Sequence, residues 1–419
     1  MINASTLHSG TVNHFVRAIQ RTCDSRLHPI YYPLLVSVLW LTAGFTGWQG
    51  YRLSVDWEEW MVGDWLVSYA AGFVRRGLSG ETLLFVGRRL GIPANMLVFS
   101  AVLGTIGLFC LALTFLFRRK RLTFWFVVLC LSPTCLLFTF YNAAAVGRKD
   151  TLILAAFAWW AVLSRPLCTR PAFWPAIAVG SFLLTLTHEM FLFFSPYFVF
   201  LAFLAFRQGG TRGGWRASLL IPAFSALAVT LIFAYSGPVS DPALCERLVS
   251  LGAPSKVCNG ILAYQDLGLM PALDEFIGHF DGQTFQGLAL VFPLLLIPVY
   301  LCLISMDDRA LTPGQITGVI AGFIVFSWPL FVLALDWGRW MSIHTILSAT
   351  TCACLLPAAQ DFQPPVPHED KRTPAYLALG MLILAGMFCW SVDYCCGASY
   401  LHPFGPKAAW VSAWNNLNF

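Results

Sequence analysis

Four clusters of charged and aromatic residues interrupt a chain that is otherwise strongly apolar, and each holds side chains suited to proton transfer or anion binding. An Arg, Lys or Asp at the centre of a membrane helix costs roughly 2.5–3.5 kcal/mol, so such groups usually line a cavity or an interface. The first cluster runs from Asp56-Trp57-Glu58-Glu59-Trp60 through Asp64 to Arg75-Arg76 and Gly77. Neighbouring glycines let backbone approach a ligand closely, and the paired guanidiniums of Arg75 and Arg76 match phosphate oxygens in bidentate geometry. The plainer reading of its acids, with Trp48, Trp57, Trp60 and Trp65, is a helix lying at headgroup level.

Gly147-Arg148-Lys149-Asp150 introduces the short apolar run 151–164. A run that short crosses a hydrocarbon core of about 30 Å only if its outer end is recessed, and a recessed end with three ionisable groups describes the floor of a watery cavity. Asp150 also suits a helix N-cap, where backbone N–H groups favour anions. An ordinary capped helix with snorkelling basic side chains is the alternative.

His188-Glu189 breaks an apolar stretch that would otherwise run from Phe173 to Phe206. A helical hairpin must turn there, and Gly, Asn or Ser would serve a turn at less cost than an acid. A carboxyl so placed, beside a base, suits a general base or an acceptor for a sugar hydroxyl. In Asp336-Trp337-Gly338-Arg339-Trp340, Arg339 is placed to grip a phosphate, Trp337 and Trp340 to offer a sugar an aromatic platform, and His344 lies about a turn further in. Asp336 and Arg339, three apart, also suit a local ion pair.

The elements that position these residues follow from composition. With 58% hydrophobic and 11% charged residues over 419 positions and a mean hydropathy of +0.68, the chain reads as an all-α polytopic membrane protein. Candidate spans fall near 31–48, 95–117, 123–141, 151–164, 173–187, 190–206, 217–236, 287–305, 316–335, 342–357 and 375–392, about eleven in all. Alternate sides of these spans divide the charges unequally: one side takes 15 of the 26 Lys and Arg but only 6 of the 21 Asp and Glu. The positive-inside rule makes that side cytoplasmic, with the N-terminus in and the C-terminus out. The polar first thirty residues read as a cytoplasmic tail, and 81–91, with Arg88 and Arg89, as an interfacial helix outside.

Residues 1–419 form one transmembrane domain with outer segments 49–94 and 237–286 and a Pro-rich cytoplasmic connector at 363–367. In the large loop, Cys245 and Cys258 stand either as a disulfide in an oxidising compartment or as two thiols; Cys395-Cys396 is a second oxidisable pair. No phosphate-loop, dinucleotide or zinc-ligand spacing is present, and nothing points to nucleic acid. No cofactor is expected, though carboxylates with waters also suit a hard divalent cation.

On this orientation all four clusters open toward one outer cavity. Its bases (Arg75, Arg76, Arg148, Lys149, Arg339) and acids (Asp56, Asp150, Glu189, Asp336) match sugar transfer from a lipid-linked phosphate or diphosphate donor. Guanidiniums stabilise the leaving phosphate, a carboxylate deprotonates the acceptor hydroxyl, and the lipid tail enters between helices.

With its outer-loop acid Asp56, Arg-rich outer loops and about eleven helices, the chain resembles the bacterial polytopic glycosyltransferases of the GT-C kind and the Wzy-type polysaccharide polymerases. The likeness covers the topology of the whole chain, but its motifs are short, and the paired-acid pattern is only loosely present as Asp56 and Glu58. It implies a bacterial inner-membrane location, an undecaprenyl-type (polyprenyl-phosphate) carrier, a glycan acceptor, and Asp56 as base, in competition with Glu189 and its neighbour His188. The alternative class is a transporter or flippase for an anionic lipid or glycolipid. It would place polar breaks at mid-membrane depth in both halves and a gate on the cytoplasmic side.

Overall fold

Backbone N–H and C=O groups in lipid must find partners within their own segment, so long apolar runs become helices. The computed structural model describes residues 4–167, 170, 172–208, 214–236, 241–263, 269–279, 296–306, 311–359, 378, 380–382, 390–391 and 402–403. In chain order the helices are α1 (Ala4–Val55), α2 (Met61–Leu66), α3 (Gly77–Leu90), α4 (Ala94–Arg118), α5 (Phe124–Cys130), α6 (Phe138–Tyr141), α7 (Asp150–Leu167) and α8 (Phe173–Thr187). They continue as α9 (Phe191–Gln208), α10 (Leu220–Tyr235), α11 (Asp241–Ser250), α12 (Leu269–His279), α13 (Pro313–Phe326), α14 (Trp328–Leu333) and α15 (Trp337–Leu355). Residues 296–304 are also helical. Among the described residues the only paired strands are Trp390–Ser391 and His402–Pro403.

Among the described residues, four helical stretches are long and apolar enough to cross a membrane: Leu27–Val55, Ala94–Arg118, Trp215–Tyr235 and Pro313–Leu333. Asp150–Ser164, Phe173–Thr187 and Phe191–Arg207 are apolar but shorter. Large side chains such as Phe233, Val325 and Leu41 stay exposed on these helices, as a lipid-facing surface requires.

Two of the expected spans are interrupted. The run 123–141 is not one helix: α5 stops at Cys130 and the chain turns through Pro133 before the short α6, because proline lacks an N–H and disfavours helical backbone in the residue before it. The run 316–335 divides at Ser327 into α13 and α14, with Pro329 in the first turn of α14, where its missing N–H costs nothing. The polar N-terminal residues continue the helix of α1 from Ala4, and the expected interfacial helix corresponds to α3. The connector 363–367 and Cys395-Cys396 lie outside the described residues, as does most of 375–392.

Packing follows residue size. On α8 the buried positions Trp174, Ala178, Ser181 and Thr185 recur every three or four residues, as do Ile221, Ser225, Ala228 and Ile232 on α10, and the two helices pack together. Small side chains there let the two backbones approach. α1 packs on α4, α4 on α7, and α7 on α9. α15 is central, buried from Trp337 to Ala353 and in contact with α4, α5, α7 and α9. Its polar stripe is satisfied internally: Thr345, Thr350 and Thr351 each donate to the carbonyl four residues back at 2.8 Å.

Outside the long helices, α2, α3, α11 and the turn Ser255–Cys258 form a second apolar cluster through Met61, Trp65, Leu84, Leu244 and Val257. Cys245 and Cys258 are joined as a disulfide, which settles the alternative left open by the sequence. Arg247 on α11 grips Glu81 on α3 with both guanidinium nitrogens, at 2.8 and 2.9 Å, and this ion pair holds the Glu81 carboxyl below its ordinary pKa.

Candidate functional site

The N-terminal ends of α3, α7, α9 and α15 converge, and each delivers charge because the acid or base lies just before or at the first turn. Arg76 precedes α3 with φ 63°, a left-handed conformation that disfavours any residue with a Cβ by roughly 1–2 kcal/mol. The following helix must pack tightly against the chain before it. A Cβ on Gly80 would lie 2.0 Å from the Val67 carbonyl oxygen, and one on Gly77 would lie 2.3 Å from the Tyr69 ring. Gly147, with φ +75°, is equally constrained, since a Cβ there would lie 2.3 Å from Met61 Sδ. Trp65 Nε1 donates to its carbonyl at 2.7 Å, tying the segment before α7 to α2.

From these supports runs a connected series of charged and polar side chains. Arg76 Nε donates to both Glu189 oxygens at 2.9 and 3.0 Å, and its Nη2 lies 2.8 Å from Oε1. Its Nη1 reaches Asp64 Oδ1 at 3.4 Å, and Lys149 Nζ lies 3.8 Å from the same oxygen while donating to the Arg76 carbonyl at 3.1 Å. Glu189 Oε2 is 3.8 Å from His188 Nδ1, and His188 Nε2 is 2.8 Å from Asp150 Oδ1. Arg339 Nε meets Asp150 Oδ2 at 2.6 Å, and its Nη1 meets Asp336 Oδ2 at 2.7 Å. Arg148 donates to the Trp60 carbonyl and lies over the Trp60 ring at 5.6 Å.

The burial of this network decides where it is reachable. Lys149, Asp64 and His188 are closed off, whereas the Glu189 and Asp336 side chains each keep 20% of their surface. Burial alone would raise the Asp64 carboxyl, but Lys149, Arg76 and Arg148 outweigh it and hold the group well below the ordinary range. Burial is likewise outweighed at Glu189, by Arg76 first and then by His188. For Lys149 burial wins, drawing the ammonium down to about 8 against the upward pull of Asp64. Two carboxylates are thus kept charged by fixed cations.

Beside the network an apolar slot of about 80 Å³ runs between α1, α4, α7 and α15. Leu39, Ile106, Phe109 and Ile346 form part of its walls, and Arg148, Asp150 and Arg339 lie at its polar end. At that size it takes only a few apolar atoms beside the charged groups at its end.

The remaining residues marked in the sequence fall in different places. Asp56 is exposed just beyond α1, and among the described residues it makes no ion pair. Arg75 is half-buried, and it is Arg76 that pairs with the acids. Trp337 and Trp340 are fully buried and present no open face: Trp337 donates to the Phe331 carbonyl at 2.7 Å, and Trp340 lies under the Arg339 guanidinium at 4.4 Å. His344 is buried deeper, with Tyr197 at 3.0 Å from Nδ1 and Ser327 at 2.7 Å from Nε2, a satisfied pin between helices. Asp64 is the member that sequence reasoning left outside the site. Its signal was an acid inside the apolar run Met61–Leu66. Among the described residues no three His, Cys, Asp or Glu side chains gather as a metal site requires.

No family model matches the chain, and no curated protein and no solved structure matches it.

Proposed function

We propose that this chain is a polytopic membrane glycosyltransferase or polysaccharide polymerase that moves a sugar from a lipid-linked phosphate or diphosphate donor at the outer face of a bacterial inner membrane. The observation that carries the reading is the partly open Glu189 carboxylate, held in a buried charge network whose far end, at Arg148, Asp150 and Arg339, closes an apolar slot. In this reading the spans number about eleven, with the N-terminus in the cytoplasm and the C-terminus outside.

The donor phosphate meets Arg148 and Arg339 at the polar end of the slot, which admits only the first carbons of the polyprenyl chain, the rest of the tail lying in the membrane. The acceptor hydroxyl approaches the open side of Glu189, which takes its proton, with His188 3.8 Å away as the onward partner. The hydroxyl oxygen forms the new bond to the anomeric carbon as the bond from that carbon to the phosphate oxygen breaks. The electron pair leaves with the phosphate, where the guanidiniums stabilise the charge. Arg76 does not line the slot and pairs with Glu189 and Asp64, so its task is to hold the base rather than to bind donor.

Incubating purified protein with lipid-linked oligosaccharide and resolving products by mass tests the reading. A ladder means polymerisation, and one added unit means single transfer. Lipid movement across vesicles without any product would replace the enzyme with a flippase. Glu189→Gln and Arg148→Ala each abolish product while the protein stays folded; wild-type rates in both would remove the site.

A further inference from the structure

Three of the helices that begin at the charge network, α7, α9 and α15, end together with α4 around a second, separate cavity. The C-terminal turns of α4, α7, α9 and α15 enclose about 430 Å³ there. From Asp150 to Ser164 along α7 the rise is about 21 Å at about 1.5 Å per residue, so the cavity lies toward the opposite leaflet of a core about 30 Å thick. Its wall is apolar, with Leu116, Val162, Leu201 and Leu355 among its residues, and its rim carries Arg119 and Lys120. None of the described lining residues is acidic.

The rim is a built structure. Lys120 Nζ donates to the Cys354 and Leu356 carbonyls at 2.7 and 2.8 Å, using its charge on the orphan carbonyls that end α15. Arg121 N donates to the Pro357 carbonyl at 2.9 Å, and Ala359 N donates to the Arg119 carbonyl at 3.1 Å. These bonds fix the end of α4 against the segment after α15. They leave the exposed Arg119 guanidinium beside the cavity mouth, next to the exposed Arg118.

We propose that this cavity is a binding site for an anionic phospholipid of that leaflet, one acyl chain lying in the apolar pocket and the headgroup phosphate resting against Arg119. The charge pattern selects this occupant: an apolar bore opening at a basic rim with no acidic lining favours an anionic headgroup over a zwitterionic one. The site stands apart from the charge network and does not depend on which reaction occurs there.

The test uses the purified full chain, stripped of lipid in detergent, and native mass spectrometry with phosphatidylglycerol and phosphatidylcholine of identical acyl chains. Phosphatidylglycerol is retained at least tenfold better by the wild type. Arg119→Gln, at an exposed position, folds normally and loses that preference. Val162→Trp, which fills the bore, loses retention of both lipids, while soluble glycerol phosphate is not retained by any variant. Equal retention of the two lipids by wild type, an unchanged preference in Arg119→Gln, or retention of glycerol phosphate matching that of the lipid would each overturn the site.

Discussion

Arg76 is the cation on which the network turns, and removing it should hurt more than removing the acid it serves. In Arg76→Ala both Glu189, otherwise 2.8 Å away, and Asp64, otherwise 3.4 Å away, lose their shared partner. Stripping one partner from a buried ion pair costs about 3–5 kcal/mol, because the survivor is left as uncompensated charge. In Glu189→Gln, Arg76 keeps Asp64, and the amide oxygen still accepts one of its hydrogen bonds. The loss is then nearer that of one hydrogen bond to a charged group, about 1.5–3 kcal/mol. In the double variant the Arg76→Ala substitution no longer strands a charged Glu189, so the two effects fall short of their sum by about 0.5–3 kcal/mol. Thermal unfolding of the four proteins in one detergent, at one scan rate, reads this directly. If Arg76→Ala proved no worse than Glu189→Gln, or the double variant lost the plain sum, the ion-pair account of the network would be wrong.

Other outcomes follow from the same geometry. Product formation falls as pH rises through about 8, where Lys149 loses its proton, and Asp64→Asn, which removes the upward pull on that ammonium, moves the fall to lower pH; a pH profile with no such shift contradicts the coupling. In the window from about 8 to 10.5 the unfolded chain holds more protons at this position than the folded one, so this residue's contribution to stability rises with pH there. Reducing the Cys245–Cys258 bond, which closes a loop with a sequence separation of 13, costs about 3 kcal/mol and is read as earlier proteolysis between α11 and the following loop. Gly80→Ala drives a Cβ to 2.0 Å from the Val67 carbonyl oxygen and lowers the yield of folded protein, whereas Gly104→Ala, on α4 with open space around it and ordinary helical backbone, does not. His344→Phe breaks the bonds to Tyr197 and Ser327 and lowers the melting temperature, yet in lipid-linked sugar assays it leaves the KM for donor unchanged.

The sequence by itself determined the class of protein, most helix positions and the suspicion that charge at the ends of apolar runs has a purpose. Those are local properties: apolarity adds up residue by residue, and α4, α8 and α9 fall within a residue or two of their apolar runs. It also marked His188, Glu189, Asp150 and Arg339, because an ionisable group at such a position is conspicuous without knowledge of its partners. The tertiary structure alone decided which side chains face each other. Arg76 sits in the turn before α3 with left-handed backbone, and its guanidinium meets Glu189 and Asp64, a placement that residue type and spacing do not announce. Asp64 enters and Asp56 stays out because α2 is clamped between α3, α4 and the disulfide-closed loop, a constraint set by residues far along the chain. Proline broke the run at 123–141 for a local reason, but the pairing of positions 64, 76, 150, 189 and 339 depends on how separate segments rotate and pack, and no single segment encodes that.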